Sequence, residues 1–343
     1  MTMTAATSTH QFSLGSSKPH ITDRGGNRID AKANVFPALK GMAISLATID
    51  SKGYREPHWH PNANELSYCL EGRALMTIFS PGANHDTFII EPGDIAFVPM
   101  GAIHHIQNIG STSLRMLVCF DNEQAEDLEL SSSVGITPDS ILGSTFSLEP
   151  AFFSKFKKSI TPNYFGISEE TPPLSLSYAT NRYKLSLEAF NPQIHTPGGT
   201  VKISNGFYLP TLEGLAVYSL FLAPHAVREP HWHPNAAELN YLISGTVHIK
   251  LLSPDGHLDS FDMVPGDISF MPRGYYHYIE NTSHEDVRMA IFFNNTFPSD
   301  IGLSGCLGAY SNQLLASLFK VKVSDLDSLP KYQQDLLVVA GGG

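Results

Sequence analysis

Several things are scarce in this chain, and each shortage removes a class of explanation. There are three cysteines, Cys69, Cys119 and Cys306, in 343 residues. They are odd in number, scattered and without a CxxC pair, so a disulfide framework is not expected; they read as reduced, mostly buried thiols of a cytoplasmic protein. Positive charge is scarce too: 22 Lys and Arg against 33 Asp and Glu give a net charge of −11. That balance argues against a nucleic-acid partner, which would need a basic face. No basic block followed by an apolar block opens the chain, so no secretory leader is expected. No apolar run approaches the length of a membrane span, so no membrane partner is expected either. What is present is an apolar share of 42%, with 20 Phe and 13 Tyr, enough to build the cores of two globular domains.

The two domains are written as one text repeated. Arg55-Glu56-Pro57-His58-Trp59-His60-Pro61-Asn62-Ala63 returns as Arg228-Glu229-Pro230-His231-Trp232-His233-Pro234-Asn235-Ala236, an offset of 173 residues (231 − 58). The same offset carries Glu65 onto Glu238, Gly93 onto Gly266, Phe120 onto Phe293 and Asp127 onto Asp300 without an insertion. A single long period indicates a duplicated domain rather than a solenoid. The expected boundaries are a flexible tail over 1–12, a first domain over 13–154, a Pro/Ser/Thr-rich linker over 155–182 and a second domain over 183–343. Gly341–Gly343 is expected to fray.

Within each copy the text is all-β. Alternating or short apolar runs over 42–49, 66–70, 74–79, 87–90, 95–98 and 114–120 are separated by Gly, Pro, Asn or Asp, the pattern of a sandwich or barrel. Helical text follows each barrel: Thr137-Pro138-Asp139 starts one helix, and Ser311 before Leu314, Leu315, Leu318 and Phe319 starts its counterpart.

Two histidines one residue apart share a face of an extended strand, because strand side chains alternate. His58 and His60, with Glu65 opening the next strand after a Pro-Asn turn, therefore outline a metal site; His231, His233 and Glu238 outline a second. A fourth ligand must obey the offset. His104 and His277 do, whereas His105 faces only Tyr278. The expected metal ligands are thus His58, His60, Glu65 and His104 in one copy and His231, His233, Glu238 and His277 in the other. Imidazole and carboxylate donors suit manganese, and equally iron, nickel, zinc or copper.

These segments resemble the two motifs of the cupin family, H-x-H-x4-E-x6-G followed by G-x5-P-x-G-x2-H-x3-N, present twice. The resemblance implies two tandem double-stranded β-helix barrels, each followed by short α-helices, and a bicupin similar to oxalate decarboxylases. It further implies manganese at two sites per chain, dioxygen as co-reactant, a small carboxylate such as oxalate as substrate, and a trimeric or hexameric homo-oligomer. In such enzymes an arginine at the position of Arg55 and Arg228 contacts the metal-bound substrate. Strict alternation would send these arginines outward, so a local strand distortion is required; a guanidinium is the right clamp for a carboxylate. A mobile lid with a proton-carrying glutamate would fall in Asp121–Ser131, where Glu126 is the first candidate beside Glu123 and Glu129. A helix N-cap would explain Asp127 and Asp300, and Glu56 and Glu229 are expected at a surface or an interface rather than in catalysis. Tyr68, Tyr241, Met76, Phe97, Phe270 and Ile103 are candidates for pocket walls. Decarboxylation to formate and carbon dioxide, oxidation with peroxide release, a different cupin dioxygenase reaction and non-catalytic metal binding are the readings left open.

Overall fold

In the computed structural model of the chain, residues 8–170 and 181–341 are described. Each half is two antiparallel sheets facing one another. In the first barrel one sheet runs Ile21–Asp23, Gly26–Ala31, Ala43–Ile49, Leu114–Phe120, Glu65–Glu71 and Ile95–Val98. The facing sheet runs Leu128–Glu129, Gly53–Trp59, His104–Asn108, Ala74–Ser80 and Asn84–Ile90, with Phe165–Ile167 also paired to Gly53–Trp59. The second barrel repeats this order from Ile194–Thr196 to Ile301–Gly302, and Val338–Val339 takes the place of Phe165–Ile167. Alternation of apolar and polar residues is what closes the barrels: in Leu258–Met263 buried and exposed positions strictly alternate. The duplicated, all-β architecture expected from the text is thereby observed.

The boundaries are less simple than a tail and a linker. Residues 8–12 are not a free tail: Gln11 and Phe12 pair with Ser269 and Ile268 at the edge of the second barrel. Ser8 Oγ and His10 Nδ1 reach Asp259 at 2.6 and 2.9 Å. Reciprocally, Lys184–Leu185 pairs with Ala96 and Ile95 of the first barrel. Each half lends the other an edge strand, which occupies backbone groups that would otherwise invite association. Between them lies one apolar core drawn from both halves, including Leu14, Leu46, Phe97, Tyr68, Leu215, Tyr241 and Phe270. Within the span read as linker, Phe165–Ile167 is strand; residues 1–7 of the tail, 171–180 of the linker and 342–343 lie outside the described residues.

Both expected helices form. Asp139–Phe146 follows Pro138, and Asn312–Phe319 is capped by Ser311, whose Oγ accepts from Leu314 N at 3.2 Å. A further pair of helices, Leu130–Ile136 and Leu303–Ala309, follows Asp127 and Asp300, beginning two residues later than a cap at those aspartates would place them. Glu56 and Glu229 hold them, and neither is a surface residue: they are 6% and 3% exposed. Glu56 Oε1 accepts from Ser131 Oγ at 2.8 Å, and Glu229 accepts from the amides of Ser304 and Leu337 at 3.1 and 2.5 Å.

One irregularity decides the site. Arg55 sits opposite Ile106 and His58 opposite His104, so three steps on one strand face two on the other. Arg228 and His231 repeat the pattern against Ile279 and His277. This extra residue is a β-bulge, and it moves Arg55 and Arg228 onto the histidine face.

Candidate metal centres

In each barrel the four expected side chains converge. The ligand atoms of His58, His60, Glu65 and His104, and of His231, His233, Glu238 and His277, lie within 4.8 Å of one another in each set. All eight residues are buried, none more than 3% exposed. His105 points to the other side of its strand, its ring 6.0 Å from Tyr54.

The imidazoles are held by their outer nitrogens. Nδ1 of His58, His60 and His104 donates to the carbonyls of Glu56, Glu126 and Ala102 at 2.8, 2.9 and 3.1 Å. The second set donates to Glu229, Ser299 and Tyr275 at 2.6, 3.1 and 2.9 Å. Fixing the proton on Nδ1 turns every Nε2 toward the centre as a bare donor, the tautomer a metal needs. The glutamates are treated alike: Oε1 of Glu65 is engaged by Ser67 Oγ and Oε1 of Glu238 by Asn240 Nδ2, each at 2.7 Å. Their Oε2 atoms face the imidazoles, 2.9 Å from His60 Nε2 and 2.7 Å from His233 Nε2. In the second barrel Nε2 of His231 and of His277 are buried without a hydrogen-bond partner. Buried polar atoms are rarely left so; a divalent ion among four donors accounts for them.

Two of these imidazoles, the ones that touch two carboxylates, hold a second proton that an ion would have to displace. Burial opposes a charged His60, yet hydrogen bonds to Asp127 and Glu65 raise its pKa to about 9; His233 reaches about 9 in the same way through Asp300 and Glu238. Burial, then the positive charge of Arg55, holds His58 well below its usual range. Burial and Arg228 bring His231 down to about 3.

The arginines lie beside these centres. Arg55 donates to Glu129 Oε1 at 2.7 Å, with Asp127 Oδ2 at 3.5 Å, and lines a small cavity with His58, His60 and Glu65. Arg228 donates to Asp300 Oδ2 at 2.6 Å and lines the matching cavity with Glu238. Asp127 and Asp300 are not helix caps: their Oδ1 atoms lie 3.0 and 2.7 Å from Nδ1 of His60 and His233. Glu126 is exposed; it gives His60 its backbone carbonyl, and its residue lines an outer cavity with Arg28, Lys32 and Tyr164. The acids that reach Arg55 are Asp127 and Glu129. Of the proposed wall residues, Tyr68, Tyr241, Phe97 and Phe270 belong to the core between barrels and Met76 to the first barrel's own core. The first cavity is walled by Ala47, Ile49, Ile106, Met116, Val118, Phe120 and Phe165 instead. Arg28, buried and 2.7 Å from Asp127, is a site residue the reading missed, because its counterpart is Val201 and repetition gave no signal.

The comparisons with known proteins fit this geometry. Cupin domains match residues 12–152 and 186–325. The chain is a bicupin of the cupin family. An oxalate decarboxylase of Arthroderma benhamiae is 26% identical over 334 residues, 88% of this chain and 78% of that protein. Oxalate decarboxylase OxdC of Bacillus subtilis is also 26% identical, over 82% of this bicupin and 74% of its own length. A solved structure of the Bacillus enzyme superposes with a TM-score of 0.88 at 23% identity, covering 98% of this chain and 89% of that one. The fold is thus that of oxalate decarboxylase, and Mn(II) centres are described for the Bacillus protein. Among the described residues, no helix is long and apolar enough to cross a membrane.

Proposed function

We propose that this bicupin is a manganese-dependent enzyme that decarboxylates oxalate, or a similar small carboxylate, to formate and carbon dioxide. The observation that carries the reading is the bulge that turns Arg55 toward the face of His58, His60 and Glu65. An uncommitted strand would spend that arginine on solvent; here a fixed cation stands at the edge of a four-donor metal centre. A divalent ion bound there would supply Lewis acidity toward a carboxylate oxygen and a redox path to dioxygen. Kinship to two oxalate decarboxylases and the Mn(II) centres of one of them support the metal and the substrate.

The chain's own residues have three tasks. Arg55 orients the substrate by a bidentate contact, taking it in exchange for Glu129. The apolar wall of Ile106, Met116, Val118 and Phe120 excludes water and strengthens that contact. Glu129, 4% exposed, then loses its guanidinium partner and is left as a buried carboxyl beside the substrate. We assign Glu129, ahead of Glu126, as the proton donor. The carbon–carbon bond breaks and one carboxyl leaves as carbon dioxide; Glu129's proton completes formate, and the monoanion's own carboxyl proton restores Glu129, so that hydrogen oxalate gives carbon dioxide and formate with no net proton change. The second barrel has Gly302 in place of Glu129, and a Cβ there would lie 2.7 Å from both Asp335 and Glu229. The first barrel is therefore the proposed catalytic one. The unpaired thiols, with Cys69 and Cys119 buried, support a cytoplasmic setting.

Elemental analysis of the purified protein, run beside an oxalate assay for formate, carbon dioxide and peroxide, tests the reading. Two manganese ions per chain and equal yields of formate and carbon dioxide are expected. Two carbon dioxides with one peroxide per oxalate would give the oxidase branch instead, and metal without oxalate turnover would favour another cupin oxygenase. Glu129→Gln is expected to cut formate production by at least tenfold, while Glu126→Gln leaves it unchanged.

A further inference from the structure

The barrels share their ligands but not the wall behind them. On the inner face of the first barrel, Arg28, Asp30 and Ser45 form a buried polar chain. Arg28 Nε lies 2.8 Å from Asp30 Oδ1, and Ser45 Oγ donates to that oxygen at 2.6 Å. At the same offset the second barrel carries Val201, Ile203 and Tyr218. Both charges of that chain are replaced by aliphatic side chains, and the serine by a tyrosine that also lines the cavity. The result is a cavity of about 100 Å³ beside Glu238, against about 20 Å³ beside Glu65. Val201, Ile203, Leu220 and Ile291 line it, and Arg228 is the cation at its wall.

We infer that the second barrel is a separate binding site for a small monocarboxylate with a short apolar chain. The carboxylate would rest on Arg228, displacing Asp300, and the chain would lie on Val201, Ile203, Leu220 and Ile291. The inference rests on the reading that the bulged arginines clamp carboxylates, and it adds a ligand class for the site that lacks Glu129. The size follows from volume: an apolar cavity of roughly 150 Å³ accepts benzene, so this one takes about four carbons. Desolvation sets the preference. A second carboxylate placed on the far wall would lie against Val201, Ile203, Leu220 and Ile291, a heavy cost in an apolar surface. Each buried methylene instead tightens binding by about fourfold.

Isothermal titration of the full, manganese-loaded chain with acetate, propionate, butyrate, hexanoate and oxalate tests this. One site per chain should tighten about fourfold per carbon from acetate to butyrate and weaken at hexanoate. Arg228→Ala should abolish it and Arg55→Ala leave it intact. Ile291→Ala should shift the optimum toward the longer acid, and the milder Ile291→Val should do so in part if the first variant does not fold. An affinity that is flat across the series, or butyrate binding lost with Arg55→Ala and kept with Arg228→Ala, would overturn the inference while leaving the carboxylate clamp standing. If neither arginine variant changes the affinity of any acid, the clamp itself falls, and this inference with it.

Discussion

Asp127 ties three side chains to one carboxylate. One oxygen meets the outer nitrogen of His60; the other meets Arg28 at 2.7 Å and approaches Arg55. Burial resists its charge, but Arg28, His60 and Arg55 together hold it well below the usual carboxylate range. It therefore orients His60, a candidate ligand, and Arg55, the proposed substrate clamp, at once. Asp127→Asn keeps the shape but places an amide against two guanidiniums, and manganese affinity at the first site is expected to fall about 10- to 100-fold; titration of each site in the single variant, with Asp300→Asn as its mirror, checks it. Protons compete for the same centre. His60 and His233 keep their charge up to about pH 9 without metal, whereas a ligating Nε2 must be bare. Loading at pH 7.5 should therefore expel about one proton per site. The sign is fixed: affinity rises with pH toward 9 and levels off beyond it. Calorimetry in two buffers of different ionisation enthalpy counts the protons, and no difference between buffers would contradict the assignment.

At the scale of elements, the bulge and the helix behind it act as a unit. The residue after each bulged arginine, Glu56 or Glu229, faces away from the metal and holds the post-barrel segment. Glu229→Ala would strand two inward-pointing amides, those of Ser304 and Leu337. A loss of roughly 2–4 kcal/mol of local stability is expected, seen as faster amide exchange in Leu303–Ala309 and Val338–Val339, with the first barrel unaffected. This part of the molecule also shows where sequence is legible. The two converging four-residue sets were readable because metal chemistry demands fixed residue types at fixed spacing, and the duplication supplied a second copy as a check. The orientation of Arg55 was not readable from alternation, since a bulge is set by pairing with a distant strand. Arg28 was hidden for the opposite reason: it belongs to one copy alone. Asp127 looked like a cap because Asp before a helix usually is one; two buried arginines and an imidazole outcompete a helix amide for it.

At the scale of the molecule, the two halves are interlocked, yet both post-barrel helix groups remain apolar on their outer sides. Ile136, Ile141, Phe146 and Ile160 of the first are 72%, 55%, 61% and 72% exposed, and Leu314, Leu318 and Phe319 of the second 51%, 64% and 53%. Scattered apolar residues on a surface need no explanation, but clusters on matching elements do. Repetition of the patch in both halves suits a closed ring: the first-half patch of one copy meets the second-half patch of the next, a head-to-tail contact that ends only when a rotation closes it. The trimer or hexamer that bicupin kinship led us to expect is such a ring. Light scattering coupled to gel filtration should find a mass near three or six times 37.5 kDa. Phe146→Asp and Phe319→Asp each place a charge on one side of the same contact, so either alone should give monomers with unchanged circular dichroism. A monomeric parent protein, or variants that keep the parent's mass, would leave these helices without a partner and the ring without support.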